Sequence, residues 1–396
     1  MSVKKLNILI FDGSFNTTPF INRLALGLSK NHTVYIIGFN EELSTKLKNV
    51  HYIGVGSNNN QLKFVKTTLQ LGSKTGSFRL LLNTFKMLFK QQRKELQQQN
   101  LQLAISNIQP DIIHLQWPSV IPWFEMILNE QKIPVVLSQR GYHSNVRPFV
   151  NSENFDYLQQ WYPKLAGFHS VSKAISKKGD FIYCDSSKID KVVYTGLDLD
   201  KISYSNSYKK ENVLTMLSVG RAHWIKGYNY ALKACKFLKE QGIKFQYTII
   251  GAKGDEELLY LRKVYDLENE VIFLGKVSSQ EVIEYMQQAQ LMVLPSIEEG
   301  IANVVVEAMA VGLPVISTNC GGMGELINHE KNGWLVPTRN PEAMAQEILN
   351  FNELSQEQID TVRKNARAKI EQQFTVDVMV KGMEELYRGV IKQFPL

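Results

Sequence analysis

The chain alternates short apolar runs with stretches of helical periodicity. LNILIF (6–11), a helical stretch from Ile21 to Ser29 and TVYIIGF (33–39) open the series; PDIIHLQ (110–116), IPVVLS (133–138), FHSVS (168–172) and KVVYTG (191–196) continue it. Strands interleaved with helices are the pattern of an α/β fold. Each run ends at a polar or glycine-containing loop, and in open parallel sheets ligands bind outside the carboxyl ends of the strands, so those loops carry the candidate chemistry.

The polar segment DLDKISYSNSYKKEN (198–212) offers little to bury and reads as a linker. Beyond it the alternation restarts with VLTMLSVG (213–220), KFQYTIIG (244–251), NEVIFLG (269–275), QLMVLPS (290–296) and LPVIST (313–318). Two successive βα arrays predict two doubly wound, Rossmann-like parallel-sheet domains facing each other across a cleft. Their expected bounds are 1–197 and 205–373, with a final helix, 376–392, packing back on the first.

A length of 396 residues agrees with two domains, and 44% hydrophobic with 21% charged residues is a globular composition. No apolar run approaches the ~18–20 residues that span a bilayer. MSVKKLNILIF runs from lysines into a strand without a small-residue cleavage site, so it reads as a first strand, and a cytoplasmic protein is expected. Cys184, Cys235 and Cys320 are too few and too scattered for a disulfide framework or a zinc site. The net charge of +7 is concentrated: residues 61–100 hold eight cations against the single anion Glu95. Within that window Phe78, Leu81, Leu82, Phe85 and Phe89 share one helical face, flanked by Arg79, Lys86, Lys90 and Arg93. This predicts a basic amphipathic helix over 78–94, suited either to an anionic membrane surface, the inner face of the cell membrane, or to packing on the first sheet. No nucleic-acid-binding motif accompanies it, so nucleic acid is not expected as a partner.

In SVGRAHWIKGYNYALKACKFL a strand ends at Gly220, Arg221 and Lys226 follow, and Gly227 opens an amphipathic helix. A helix start with two cations is a ready anion site for a diphosphate, although on local grounds alone two solvated surface cations are the preferred reading. LPSIEEGIANVVVEAMAVGLPVIST is one βαβ unit. Glu307 is the only charge between Gly300 and Gly312, which predicts a mostly buried carboxylate needing a dedicated partner such as ribose or sugar hydroxyls. Glu299 lies in the strand-end loop, beside the N–H groups of Ile301, Ala302 and Asn303; the adjacent Glu298 reads as a surface carboxylate.

GR(x4)KG, FLG, LPSxxEG, the E(x7)E spacing, EAMAxGxPVI, GGMGEL and NGWLVP occur in this order between Val213 and Pro337. This half of the chain resembles retaining glycosyltransferase family 4, of the GT-B fold (glycosyl transferases group 1). The resemblance implies transfer of a hexose-type sugar, with retention, from a UDP-, GDP- or ADP-sugar to a hydroxyl of a glycan or lipid-linked oligosaccharide, in bacterial surface polysaccharide synthesis. It assigns catalytic roles to Glu299, Arg221 and Lys226, and donor contacts to Gly220, Gly300, Ile301, Ala302, Asn303 and Glu307 as well. It implies neither cofactor nor obligatory metal, two fixed cations standing in for one; Asp198 and Asp200 form only a weak D-x-D. A GT-B sugar-nucleotide epimerase or hydrolase, or a noncatalytic nucleotide-binding scaffold, are the alternatives.

The N-terminal half resembles the family in pattern and departs from it on the acceptor side. FDGSFNTTPF has one glycine, Gly13, where relatives often have two, with Ser14 and Asn16 beside it. After IPVVLS, where relatives often place a histidine, stand Gln139, Arg140 and Gly141, then His143. His114, in PDIIHLQWP, stands where H-x-H is common, with Gln116 in place of the second histidine; it reads as an acceptor-side residue by resemblance and, in preference, as a satisfied structural histidine. An arginine at this point binds phosphate or carboxylate but cannot act as a base.

Overall fold

The computed structural model describes residues 4–15, 17–39, 46–74, 77–206 and 208–394. They form two compact units. The first comprises residues 1–171, 176–196 and 379–396, and the second 172–175 and 197–378.

The first unit is built on a seven-stranded parallel sheet of order β3-β2-β1-β4-β5-β6-β7. Its strands are β1 (Asn7–Gly13), β2 (Thr33–Gly38), β3 (Val50–Gly54), β4 (Ile112–Leu115), β5 (Val135–Gln139), β6 (Gly167–Ser170) and β7 (Asp190–Val192). β4, β5 and β6 are buried at every position, which is why they appear as uninterrupted apolar runs. The chain returns to this unit at Met379, within the helix Val376–Gln393, and a Cβ on Gly167 would stand 2.6 Å from Val390 of that helix.

The second unit carries a six-stranded parallel sheet of order β10-β9-β8-β11-β12-β13. Its strands are β8 (Leu214–Val219), β9 (Phe245–Ile250), β10 (Val271–Leu274), β11 (Leu291–Leu294), β12 (Val315–Thr318) and β13 (Trp334–Val336). Strand order reverses direction between β1 and β4 in the first sheet and between β8 and β11 in the second. These are the switch points where doubly wound sheets open a ligand crevice.

Two expectations need correction. The basic stretch 78–94 is not one helix: α3 (Phe78–Phe89) stops, Gln91 turns through φ +54°, and α4 (Arg93–Ile108) begins. Arg93 points back into the protein, lying 4.8 Å over the Phe64 ring of α2 (Gln61–Ser73) and bonding Ser57 O and Gln61. Segment 198–212 is likewise no loose linker. Ile202 is buried, and Arg363 donates to Gly312 O at 2.6 Å and to Ser205 O at 2.5 Å while lying 4.4 Å over Tyr208 and 5.2 Å over Tyr204.

Candidate functional site

In the second unit the loops after β8 and β11 meet at the switch point. Lys226 Nζ donates to Glu299 Oε1 at 2.6 Å, and Ser296 Oγ donates to the same oxygen at 2.9 Å. Among the described residues nothing bonds Oε2, so one face of the carboxylate is held while the other is open to a ligand hydroxyl. The side chains of Lys226 and Glu299 retain 22% and 15% of their exposure, enough to be reached and too little to wander.

Backbone contacts pin this pair from both sides. Gly227 adopts φ +63°, and a Cβ there would lie 2.1 Å from Pro295 O; Ile297 N–H donates to Ile225 O at 2.7 Å. The turn that delivers Lys226 therefore rests directly on the loop that carries Glu299. On the opposite side Gly321, at φ +50°, would place a Cβ 1.7 Å from Glu299 O, and Gly322 N–H donates to that carbonyl at 3.3 Å.

Two helices begin here without a side-chain cap: Tyr228–Glu240 at Gly227 and Asn303–Val311 at Ala302, neither with an acid in its first turn. Their N-terminal dipoles add positive potential beside Lys226, an arrangement suited to a diphosphate. Arg221 is exposed, after Gly220, whose carbonyl accepts from Tyr228 OH at 3.0 Å. Gly300 and Ala302 are buried; Ile301 and Asn303 are half-buried.

Glu307 is half-buried. Val305, Val306, Ala308, Met309, Ala310 and Val311 are buried, leaving Asn303, Val304 and Glu307 as the open stripe of this helix. The stripe holds a single charge because the other positions are small or apolar, so it is nearly invisible in the sequence. Glu298 is also half-buried; its Oε1 lies 3.0 Å from where a Cβ on Gly321 would stand. Ser296 and Gly321 fall inside the motifs LPSxxEG and GGMGEL, which by themselves assign neither residue a role. A cavity of about 320 Å³ opens beside it, lined by Trp224, Tyr228, Asn229, Asp255, Ile297 and Arg339. Asp198 pairs with Lys201 at 2.8 Å, and among the described residues no group of three or more His, Cys, Asp or Glu side chains could hold a metal ion.

In the first unit the strand ends at the β1/β4 switch point converge on Arg140, which is only 8% exposed. Its Nη2 donates to Ser138 Oγ at 2.7 Å and to Gln116 Oε1 at 3.1 Å, and the guanidinium lies 4.4 Å over Phe20. His114 is fully enclosed, with Nδ1 2.7 Å from Tyr387 OH and Nε2 2.7 Å from Ser138 Oγ. Ser138 Oγ is also 2.8 Å from His169 Nδ1, and His169 Nε2 is 2.9 Å from Val193 O. Burial pushes His114 well down and His169 down to about 3, with Arg140 adding to both, so both rings are neutral at physiological pH.

Both ring nitrogens of His114 are thus taken up inside the protein, and the ring positions Ser138. Asp12 accepts from the Trp117 indole N–H, and burial lifts its carboxyl to about 6. Gly13 adopts φ +90° and Ser14 is half-buried, its backbone 2.6 Å from where a Cβ on Gly38 would stand. Asn16 lies outside the described residues. His143 is half-buried, its ring 6.1 Å from that of Trp117, and burial lowers its pKa. Asp12, Trp117, His169 and Tyr387 escape a reading of the sequence because they come from four separate segments; an acid closing the first apolar run, near the carboxyl end of β1, is the one local signal.

Residues 200–369 match the family model of glycosyl transferases group 1. The match covers most of the second unit. Among the proteins this chain is similar to, WcaL of Escherichia coli (strain K12), named as a colanic acid biosynthesis glycosyltransferase, is 35% identical over 214 residues, 52% of each chain. AmsK of Erwinia amylovora, named an amylovoran biosynthesis glycosyltransferase, is 33% identical over 237 residues, 57% of this chain and 58% of its own. The chain spans about half the length of the curated relatives it matches. Among solved structures, Anabaena Alr3699/HepE in complex with UDP and glucose aligns with a TM-score of 0.72 at 18% identity, covering 97% of this chain and 100% of that one. A glycosyltransferase from Rickettsia africae ESF-5 aligns at 0.71 with 19% identity, covering 99% and 100%. Likenesses of this extent show the fold: both units are Rossmann-like, and the architecture is that of the GT-B glycosyltransferases.

Proposed function

We propose that this chain is a metal-independent, retaining glycosyltransferase of family 4 that moves a hexose-type sugar from a nucleoside-diphosphate sugar to a hydroxyl of a glycan or lipid-linked acceptor in bacterial surface polysaccharide synthesis. The observation that carries this reading is the Lys226–Glu299 pair, held at the β8/β11 switch point between two uncapped helix starts. Lys226 and Arg221 stabilise the departing diphosphate, Glu299 takes sugar hydroxyls on its open oxygen, and Glu307 on its half-buried stripe takes the ribose. Negative charge develops on the leaving phosphate, and fixed cations aimed at it do the work a metal would do elsewhere. HepE, solved with UDP and glucose, and the relatives named for colanic acid and amylovoran biosynthesis support the donor and acceptor classes.

Product analysis tests this reading. With UDP-, GDP- and ADP-sugars and a lipid-linked glycan acceptor, one donor should yield nucleoside diphosphate and an elongated acceptor in equal amounts, undiminished by EDTA. Free or epimerised sugar without elongation points to the hydrolase or epimerase, unchanged donor to a scaffold, and loss of activity in EDTA to a metal enzyme.

The same proposal places the enzyme in the cytoplasm, at the inner face of the cell membrane. No helix among the described residues is long and apolar enough to cross a membrane. α3 turns Leu81 inward, half-buried, and Thr84 fully so, while Phe78, Leu82, Phe85 and Phe89 stay 74%, 53%, 54% and 92% exposed, with Leu62 of α2 at 84%. Arg79, Lys86 and Lys90 flank this apolar stripe in solvent, and near an anionic surface each contributes about 1 kcal/mol. The protein should cosediment with phosphatidylglycerol vesicles and not with phosphatidylcholine vesicles. Phe85→Ser with Phe89→Ser should weaken binding by at least about tenfold, since burying each ring is worth ~1.5–3 kcal/mol. Equal behaviour of the two vesicle types, or of the double variant and the parent, would assign the stripe to a protein partner.

A further inference from the structure

The polar cluster of the first unit contains a cation whose compensation is incomplete. Arg140 is more than nine-tenths buried, and among the described residues the side chains that its guanidinium bonds, Gln116, Ser138 and His169 (3.4 Å), are uncharged. Its Nε is buried and has no hydrogen-bond partner among the described residues. The carboxylate in its field, Asp12, is bonded by the Trp117 indole, and its raised pKa leaves part of its population protonated near neutrality. Burying a charge costs several kcal/mol unless an opposite charge and hydrogen bonds answer it. Such a cation at a strand-order reversal, where doubly wound sheets bind ligands, is a site with a donor to spare.

The rings around it point the same way. The guanidinium stands 4.4 Å over Phe20 and 5.7 Å over Trp117, and the His143 ring lies 6.1 Å from that of Trp117. Aromatic faces hold the fork flat and keep water from it. A carboxylate or phosphate is a planar or tetrahedral array of acceptors that an arginine fork binds better than any neutral hydroxyl does.

We propose that the first unit recognises an acceptor bearing an anionic group, a carboxylate or a phosphate, through Arg140, with Gln116 and Ser138 fixing the guanidinium and Phe20 and Trp117 bounding the subsite. The word acceptor rests on the glycosyltransferase reading; the anion site itself does not. It makes an acidic sugar or sugar phosphate, rather than a neutral one, the class of group that the enzyme extends.

The test is a thermal-shift comparison of glucuronic acid, glucose 6-phosphate and methyl glucoside on the full chain, its Arg140→Gln variant and its Lys226→Ala variant. An anion that binds only the folded state raises the melting temperature by mass action. At least one acidic probe should bind about tenfold or more tightly than methyl glucoside, as expected for a charge-assisted hydrogen bond against a neutral one. A shift with glucuronic acid alone identifies a carboxylate, and one with glucose 6-phosphate alone a phosphate. The shift should persist in Lys226→Ala and vanish in Arg140→Gln. The proposal is overturned if methyl glucoside matches the acidic probes, if no probe shifts the wild type, if Arg140→Gln keeps the shift, or if Lys226→Ala loses it. Should Arg140→Gln fail to fold, the wild type and Lys226→Ala still decide. If UDP, GDP and ADP leave the melting temperature unchanged while an acidic probe raises it, the glycosyltransferase reading falls and the anion site stands.

Discussion

Lys226→Ala is expected to lower sugar transfer by roughly 10²–10³-fold, the usual loss when one fixed donor to developing charge is removed. Lys226 sits 2.6 Å from Glu299 and at the start of an uncapped helix, so its loss removes the strongest local charge opposite the leaving diphosphate and also frees Glu299 from its anchor. Stability should hardly change, because the ammonium is partly exposed and Ser296 still bonds the carboxylate. Lys226→Arg separates charge from geometry: a planar fork on a stem fitted to an ammonium restores the charge without the position, and should recover only part of the rate. Glu299→Gln keeps the shape and the acceptor oxygen but loses the ion pair, so steady-state kinetics should show a fall in kcat together with a misplaced lysine. Unchanged kcat/KM in Lys226→Ala would remove the pair from the mechanism.

Gly321→Ala is expected to destabilise the second unit and silence the site at once. A methyl group there would stand 1.7 Å from Glu299 O, and φ +50° is strained for any L side chain. Left-handed backbone costs about 1–2 kcal/mol and overpacking about 1–3 kcal/mol more, so the melting temperature should fall by on the order of 10 °C. Because the clash is with the carbonyl of Glu299 itself, the loop must move away from Lys226 to relieve it. Differential scanning calorimetry together with kinetics should therefore show both losses. A variant that lost activity at full stability, or stability at full activity, would show that Gly321 does not hold this loop.

The long strands were legible because strands buried on both faces leave apolar runs in the sequence. β3 and β13 were missed because VHYIG exposes His51 and WLV is only three residues long. Lys226 and Glu299 could be found because each follows a recognisable strand end, and their pairing is the shortest route between two adjacent loops at a switch point. Glu307 stood out as the one charge among apolar neighbours, but the half-buried stripe it shares with Asn303 and Val304 has no periodic mark in the sequence. The Arg140 cluster could not have been assembled beforehand. Tyr387 meets His114 across 273 residues, and nothing local in a helical GMEELYRG marks one tyrosine as the cap of a buried histidine. The basic helix was legible in its periodicity alone; which apolar residues turn outward depended on where α3 ends and on what Arg93 packs against.

The most direct measurement of the central claim is calorimetric titration of UDP, GDP and ADP into the wild type, Lys226→Ala and Glu307→Gln. Glycosyl transfer from a nucleotide donor at this site predicts that one nucleoside diphosphate binds clearly better than the other two. It also predicts that Lys226→Ala weakens its binding by about tenfold or more, the equivalent of ~1.4 kcal/mol, and that Glu307→Gln weakens it as well. Failure of all three nucleotides to bind the wild type, or equal affinity in wild type and both variants, would contradict it.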